Sequence, residues 1–187
     1  MTGRAKSETL RKYLRRATRQ QHELLDAGAG VPDFTDPASH AAFLQRQFAA
    51  RRPIELWAAE HCPVDIAPPP TSPLLRADLR AIGAAPLADL AHFKLPNDAD
   101  ALGLAWALAG SHLGNRMMLK TLVETAPDAP QAFFADEATI AFWQSLRPRL
   151  ERAVSPESAE RATRGAQAVF DNFFRAFGLT EAGRFAA

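Results

Sequence analysis

Apolar residues recur along this chain at intervals of three and four, the spacing that places side chains on one face of a helix. Ala and Leu dominate, β-branched residues are sparse, and no stretch alternates strictly between apolar and polar positions as a strand would. The sequence therefore predicts an all-α fold, with helices near residues 7–27, 37–61, 73–82, 86–92, 98–124, 137–153 and 156–177.

Capping residues set the predicted helix ends. A polar cap followed by proline marks three helix starts, at Asp36-Pro37, Ser72-Pro73 and Ser155-Pro156. Ser7 is predicted to cap the first helix and Gly28 to end it, while Gly178 ends the last one. Two internal prolines should disturb their helices: Pro53 should kink the second, and Pro148 should kink or split the sixth.

The last predicted helix carries an apolar stripe that we expect to be core, because a phenylalanine stripe at helical spacing is typical of packing. Its members are Ala162, Ala166, Val169, Phe170, Phe173 and Phe177. A similar stripe on the second helix contains Phe43, Gln47, Ile54 and Trp57.

Length and composition narrow the class of protein. The chain has 187 residues, of which 47% are hydrophobic, and this fits one globular domain spanning 1–187 with loose termini at 1–6 and 180–187. The net charge of +1 gives no overall attraction to nucleic acid. A single cysteine, Cys62, excludes an internal disulfide and favours a reducing, cytoplasmic setting. No apolar run is long enough to span a membrane.

The first candidate site lies on the first predicted helix, around His22. Arg15 is about two turns upstream on nearly the same face, roughly 10 Å away, and Arg19 flanks it. Asp26 is one turn downstream, where its carboxylate can accept the proton of one ring nitrogen and orient the other toward a metal. A solvated surface histidine among ordinary helix neighbours is the competing interpretation.

The second candidate site is a pair of glycines, Gly110 and Gly114, inside an otherwise helical stretch. Each glycine lowers the stability of a helix by about 1 kcal/mol relative to alanine, so the presence of two in one helix needs an explanation. Their four-residue spacing puts both on one face and lets something approach the backbone. That partner is either another helix or a flat ligand.

Together the two segments resemble the haem oxygenase family, especially its compact bacterial branch. The family's proximal segment has the form Leu-x-x-Ala-Thr-x-x-x-His, which matches Leu14 to His22. Its distal segment has the form Gly-Ser-x-Leu-Gly, which matches Gly110 to Gly114. The resemblance implies a haem-oxygenase-like helical bundle in which haem is sandwiched between a proximal helix and a kinked distal helix.

The resemblance also implies an activity and a set of partners. Haem would be both substrate and cofactor, and it would be opened to biliverdin, CO and ferrous iron. The reaction would use O2 and electrons from an external donor, a reductase or a ferredoxin-type protein. We expect a cytoplasmic monomer that binds neither nucleic acid nor membrane.

Site residues follow from the same resemblance. His22 would be the proximal iron ligand, with Asp26 behind it, and Gly110, Ser111 and Gly114 would form the distal wall of the catalytic site. Basic residues would meet the haem propionates, and Asn115 would contact the haem from the distal helix. Those basic residues are Arg15, Arg19, Lys120 and Arg147.

Two positions depart from the family pattern and keep alternatives open. Many members carry an acidic residue where this chain has Ser111, and another glycine where it has Asn115. A non-catalytic haem carrier or sensor of the same fold is therefore the main alternative. Two weaker alternatives are an enzyme acting on another small molecule, resembling thiamin-degrading relatives, and a regulatory domain that binds nucleic acid through its basic first helix.

Overall fold

The computed structural model describes residues 8–88 and 92–179. This part of the chain contains eight α-helices and no strand, which confirms the predicted all-α class. The helices are α1 Leu10–Ala17, α2 Arg19–Ala29, α3 Pro37–His61, α4 Ser72–Ile82, α5 Ala101–Gly110, α6 His112–Thr125, α7 Ala138–Leu150 and α8 Pro156–Ala176. None of these described helices is both long and apolar enough to cross a membrane.

The first predicted helix is broken at Thr18, which separates α1 from α2. The backbone nitrogen of Thr18 and its hydroxyl both donate to the Leu14 carbonyl, each at 2.9 Å. Thr18 is buried, and a hydroxyl bonded back to the previous turn is a common cause of helix bending. The break lies one turn before His22.

The ends of this first segment also differ from the prediction. Ser7 lies outside the described residues, and within them the side chain of Thr9 caps α1 by accepting from the Lys12 nitrogen. The prediction that Gly28 ends the helix is wrong, because Gly28 lies inside α2. Gly30 ends the helix instead, with a φ of +64° that favours glycine.

The predicted helix over 98–124 is likewise two helices, α5 and α6, which meet at Ser111. The side chain of Asp100 caps α5 by accepting from the Leu102 nitrogen, so the helix starts at Ala101 rather than at residue 98. The short helix predicted over 86–92 is wrong for residues 86–88, which are not helical, and residues 89–91 lie outside the described part.

Most of the other predicted boundaries are confirmed. Asp36 and Ser155 cap α3 and α8 through their side chains, and Gly178, at a φ of +68°, follows the end of α8. α3 runs on through Pro53 as one helix, and α7 extends past Pro148 to Leu150, so the expected split of that helix is wrong.

α8 is the central support of the fold, because α1, α2, α3 and α5 all pack against it. Its predicted apolar stripe is buried along its whole length, from Ala162 to Phe177. α5 crosses α8 with backbones nearly touching, since a Cβ added to Gly103 would collide with the Ala162 carbonyl and one added to Gly165 with the Asp100 carbonyl. The crossing therefore fixes the position of α5 relative to α8, against which α2 also packs.

Candidate functional site

His22 is held in one orientation by a carboxylate one turn downstream. Its Nδ1 lies 3.0 Å from the Oδ2 of Asp26, as predicted from the one-turn spacing. The ring centre is 5.9 Å from that of Phe170 on α8, so one side of the imidazole rests on the core. The side chain is nevertheless 59% exposed, and no described residue bonds to its Nε2. A carboxylate on one ring nitrogen leaves the other free to bind iron.

Neither glycine of the distal segment lies at a close helix crossing. A Cβ added to Gly114 would meet nothing within 4 Å, and one added to Gly110 would meet only the Cζ3 atom of Trp143 at 3.8 Å. Close helix packing therefore does not explain this pair. Their lack of side chains leaves room beside the α5–α6 break, as a flat ligand would require.

Both candidate segments contact one buried cluster that includes residues of α8. His22 rests on Phe170 of α8, and Phe170 belongs to the same buried cluster as Ala109, the residue before Gly110. Leu14, one turn before the break at Thr18, is part of that cluster as well. The proximal and distal segments are thus attached to one apolar support.

The four predicted propionate partners divide into two groups. Arg15 and Arg147 are exposed, and neither is in an ion pair or a side-chain hydrogen bond within the described residues. Arg19 is bound to Glu23, with its Nε 2.7 Å from Oε1 of the glutamate. The Nζ of Lys120 lies 3.9 Å from Oε1 of Glu124. Both pairs are exposed, and such pairs are worth about 0–1 kcal/mol, so a ligand carboxylate can compete for these cations.

Ser111 occupies the break between α5 and α6, and its hydroxyl is fully engaged. The hydroxyl donates to the Leu108 carbonyl at 2.8 Å and accepts from Nη2 of Arg51 at 2.7 Å. Asn115 follows in the first turn of α6, half-buried, with its backbone nitrogen bonded to the Ser111 carbonyl. Because the Ser111 proton is committed to Leu108, this hydroxyl is not free to donate to a ligand.

Arg51 is the site-adjacent residue that sequence reasoning missed. It is only 2% exposed and lies on α3, where its Nε donates to Gln47 at 3.0 Å. Its burial could have been predicted from its position in the sequence. Arg51 falls between Gln47 and Ile54 on a stripe that is otherwise assigned to packing. A charged residue at such a position is an exception to normal burial.

The remaining histidines have structural environments. His112 is buried against Trp143 with its Nδ1 2.8 Å from the Ala109 carbonyl, and His40 is buried between Phe34 and Phe134. His61 stacks on Trp57 at the surface, and His92 is exposed. None of them lies on the proximal helix with His22.

Two of the alternative functions lose support from side-chain contacts. Burial raises the pKa of the Cys62 thiol, which keeps it protonated and unreactive, against a cysteine-dependent enzyme. Several cations of the basic first segment are paired with carboxylates, which weakens a charged stripe for nucleic acid. The pairs are Arg11–Glu151, Arg16–Glu8 and Arg19–Glu23.

Comparison with known proteins supports one fold. No family model and no curated protein matches the sequence. Among solved structures, the chain is similar to a haem oxygenase from Neisseria meningitidis determined with NO and CO bound. The TM-score is 0.70 at 19% sequence identity, over 93% of this chain and 94% of that one. The chain therefore has a haem-oxygenase-like fold, which confirms the fold expected from the resemblance of the two segments.

Proposed function

We propose that this chain is a haem oxygenase, which binds haem between α2 and the α5–α6 break and cleaves it to biliverdin, CO and ferrous iron. The observation that carries the proposal is the free Nε2 of His22, oriented by Asp26, together with the lack of close packing at Gly110 and Gly114. The likeness in fold to a haem oxygenase adds to it.

The residues present fit a haem group. His22 offers one imidazole nitrogen, so an iron bound there needs its other ligands from the porphyrin and from a small molecule. Gly110 and Gly114 place no side chain that could occupy the opposite side of the ring. His112 is buried against Trp143, and its Nδ1 is bonded to the Ala109 carbonyl of α5.

The propionates would be held by exposed cations. Arg15 and Arg147, which have no carboxylate partner among the described residues, are the first candidates, and Arg19 and Lys120 could exchange their surface partners for a propionate. Guanidinium groups bind carboxylates through two parallel hydrogen bonds, which fixes the rotation of the ring. Ring rotation in turn selects which carbon of the macrocycle is attacked.

Haem, when bound, supplies the iron chemistry that activates O2 with electrons from a reductase or a ferredoxin-type donor. This chain's own residues hold and orient it: His22 binds from the proximal side, and Asp26 keeps the Nδ1 proton in place. The glycines leave room for O2, and Asn115 offers an amide close to the distal side. We place the protein in the cytoplasm as a single-domain monomer.

Turnover of hemin tests the proposal. The protein is loaded with hemin, reduced with ascorbate under O2, and followed by visible spectroscopy and extraction of the pigment. We expect loss of the haem band with appearance of biliverdin in the parent, and a much slower reaction in His22→Ala. An intact porphyrin after repeated reduction would identify a haem carrier or sensor instead. Loss of the haem band without any bile pigment would contradict the enzyme.

A further inference from the structure

The largest fully buried side chain in the described residues is a charged one, that of Arg51. Its guanidinium carbon lies 5.0 Å from the ring centre of Phe133 and 5.6 Å from that of Phe173. Two of its nitrogens donate hydrogen bonds, to Gln47 and to Ser111. A buried arginine in an aromatic environment normally has a carboxylate partner as well.

No carboxylate forms an ion pair with Arg51 in the described part of the chain. Glu55 and Asp136 act on Arg51 electrostatically and each raises its pKa, but both carboxylates accept hydrogen bonds from other groups. Glu55 accepts from the nitrogen and hydroxyl of Thr71 and from the Ser72 nitrogen, and Asp136 accepts from groups at the start of α7. Burial lowers the pKa of Arg51 to about 10, so it stays protonated at neutral pH.

The only hydrogen bond from this charge toward the candidate haem site is the one to Ser111. Ser111 is the residue after Gly110, and its hydroxyl joins Arg51 to the break between α5 and α6. A charge behind this break acts through protein rather than through water, where the low effective dielectric keeps its influence strong. Ser111 therefore links this buried charge to the residue next to Gly110.

We propose that Arg51 is a positioning residue of the haem site, whose buried positive charge makes the distal side favour anionic ligands of the iron over neutral ones. The inference rests on the proposed function, because it needs haem between α2 and the α5–α6 break. It assigns Ser111 the role of anchoring this charge through its hydroxyl.

Ligand binding to the hemin-loaded, ferric protein tests the proposal without turnover. Azide is the anionic probe and imidazole the neutral one, and Kd is measured by visible titration. Arg51→Met removes the charge and keeps an unbranched apolar chain, a replacement that buried ion sites often tolerate. We expect the Kd for azide to rise about tenfold and that for imidazole to stay within about twofold.

Two variants act as controls. Arg51→Lys keeps the charge, and it should hold the azide Kd within about threefold of the parent. Arg52→Met removes the same charge from the neighbouring, less buried position on α3, and should leave both Kd values unchanged. An unchanged azide Kd in a folded, hemin-binding Arg51→Met variant would overturn the proposal.

A second measurement needs no variant, should Arg51→Met fail to fold. Salt screens surface charges but screens a buried charge much less. The azide Kd of the parent should therefore change less than about threefold when the salt concentration rises from about 50 mM to about 500 mM. A tenfold loss would place the responsible charge at the surface and overturn the role of Arg51. Failure of the parent to bind hemin would instead contradict the proposed function itself.

Discussion

Two pairs of helical glycines in this molecule do opposite things in the structure. Gly103 and Gly165 lie where α5 crosses α8, and an added Cβ at either would run into the carbonyl oxygen of the other helix. Gly110 and Gly114 lie seven and eleven residues further along from Gly103, at the α5–α6 break, where an added Cβ would meet one aromatic atom or nothing. One pair permits packing, and the other leaves space.

The two pairs show that glycine can serve either to bring two backbones together or to leave space beside a helix. At the crossing, the glycines are part of the core, and the chain stabilises itself by bringing two backbones together. At the break, neither glycine is needed for a close approach of two backbones, so the helix-propensity cost of about 1 kcal/mol per glycine is not offset by tight packing. A glycine that lowers helix stability without improving the packing is expected where a ligand must come close to the backbone.

The largest expected effect is on the packed pair. Gly165→Ala places a methyl group against the Asp100 carbonyl, and we expect it to lower the free energy of unfolding by about 3 kcal/mol, since overpacking at a backbone crossing is relieved only by moving a helix. Gly103→Ala should behave similarly. Urea denaturation measures the effect, and a loss below about 1 kcal/mol would mean that the crossing is not tight.

A smaller effect is expected at the open pair, and on binding rather than on folding. Gly114→Leu fills the space beside the break, so hemin affinity should fall at least about tenfold while the free energy of unfolding stays within about 1 kcal/mol. The matched control is Thr125→Leu, which adds the same side chain at an exposed position at the end of α6. Equal hemin affinity for both variants would remove Gly114 from the site.

The smallest effect has the opposite sign to the first. Gly114→Ala adds a methyl group in open space inside a helix, so the free energy of unfolding should increase by roughly 0.5–1 kcal/mol. The same urea measurement that shows Gly165→Ala to be destabilising checks it. If Gly114→Ala also destabilised the protein, the distinction between packed and open glycines would fail.

Periodicity and capping predicted the helical class, the buried stripe of α8 and the starts of α3 and α8. They missed the breaks at Thr18 and Ser111, because the apolar spacing continues on both sides of each. At both residues, a side-chain hydroxyl bonds back to a carbonyl of the preceding turn, an alternative to regular helix that a count of apolar positions does not show.

Only the part of the candidate site that depends on local helical spacing was predictable from the sequence. The bond from His22 to Asp26 depends only on helical spacing, so the sequence was sufficient for it. Arg51 was not predictable from local spacing, because its partner Ser111 is 60 residues away and comes close only through the packing of the folded chain. The same holds for the glycines, since only the fold distinguishes Gly103 from Gly110.

The central claim is that His22 binds haem iron, and its exposed imidazole would equally suit a solvated surface histidine. Titration with hemin separates the two. We predict that the parent binds one equivalent with the visible spectrum of imidazole-ligated ferric haem, that His22→Ala loses this spectrum, and that added imidazole restores it. The same spectrum in the parent and in His22→Ala would contradict the account.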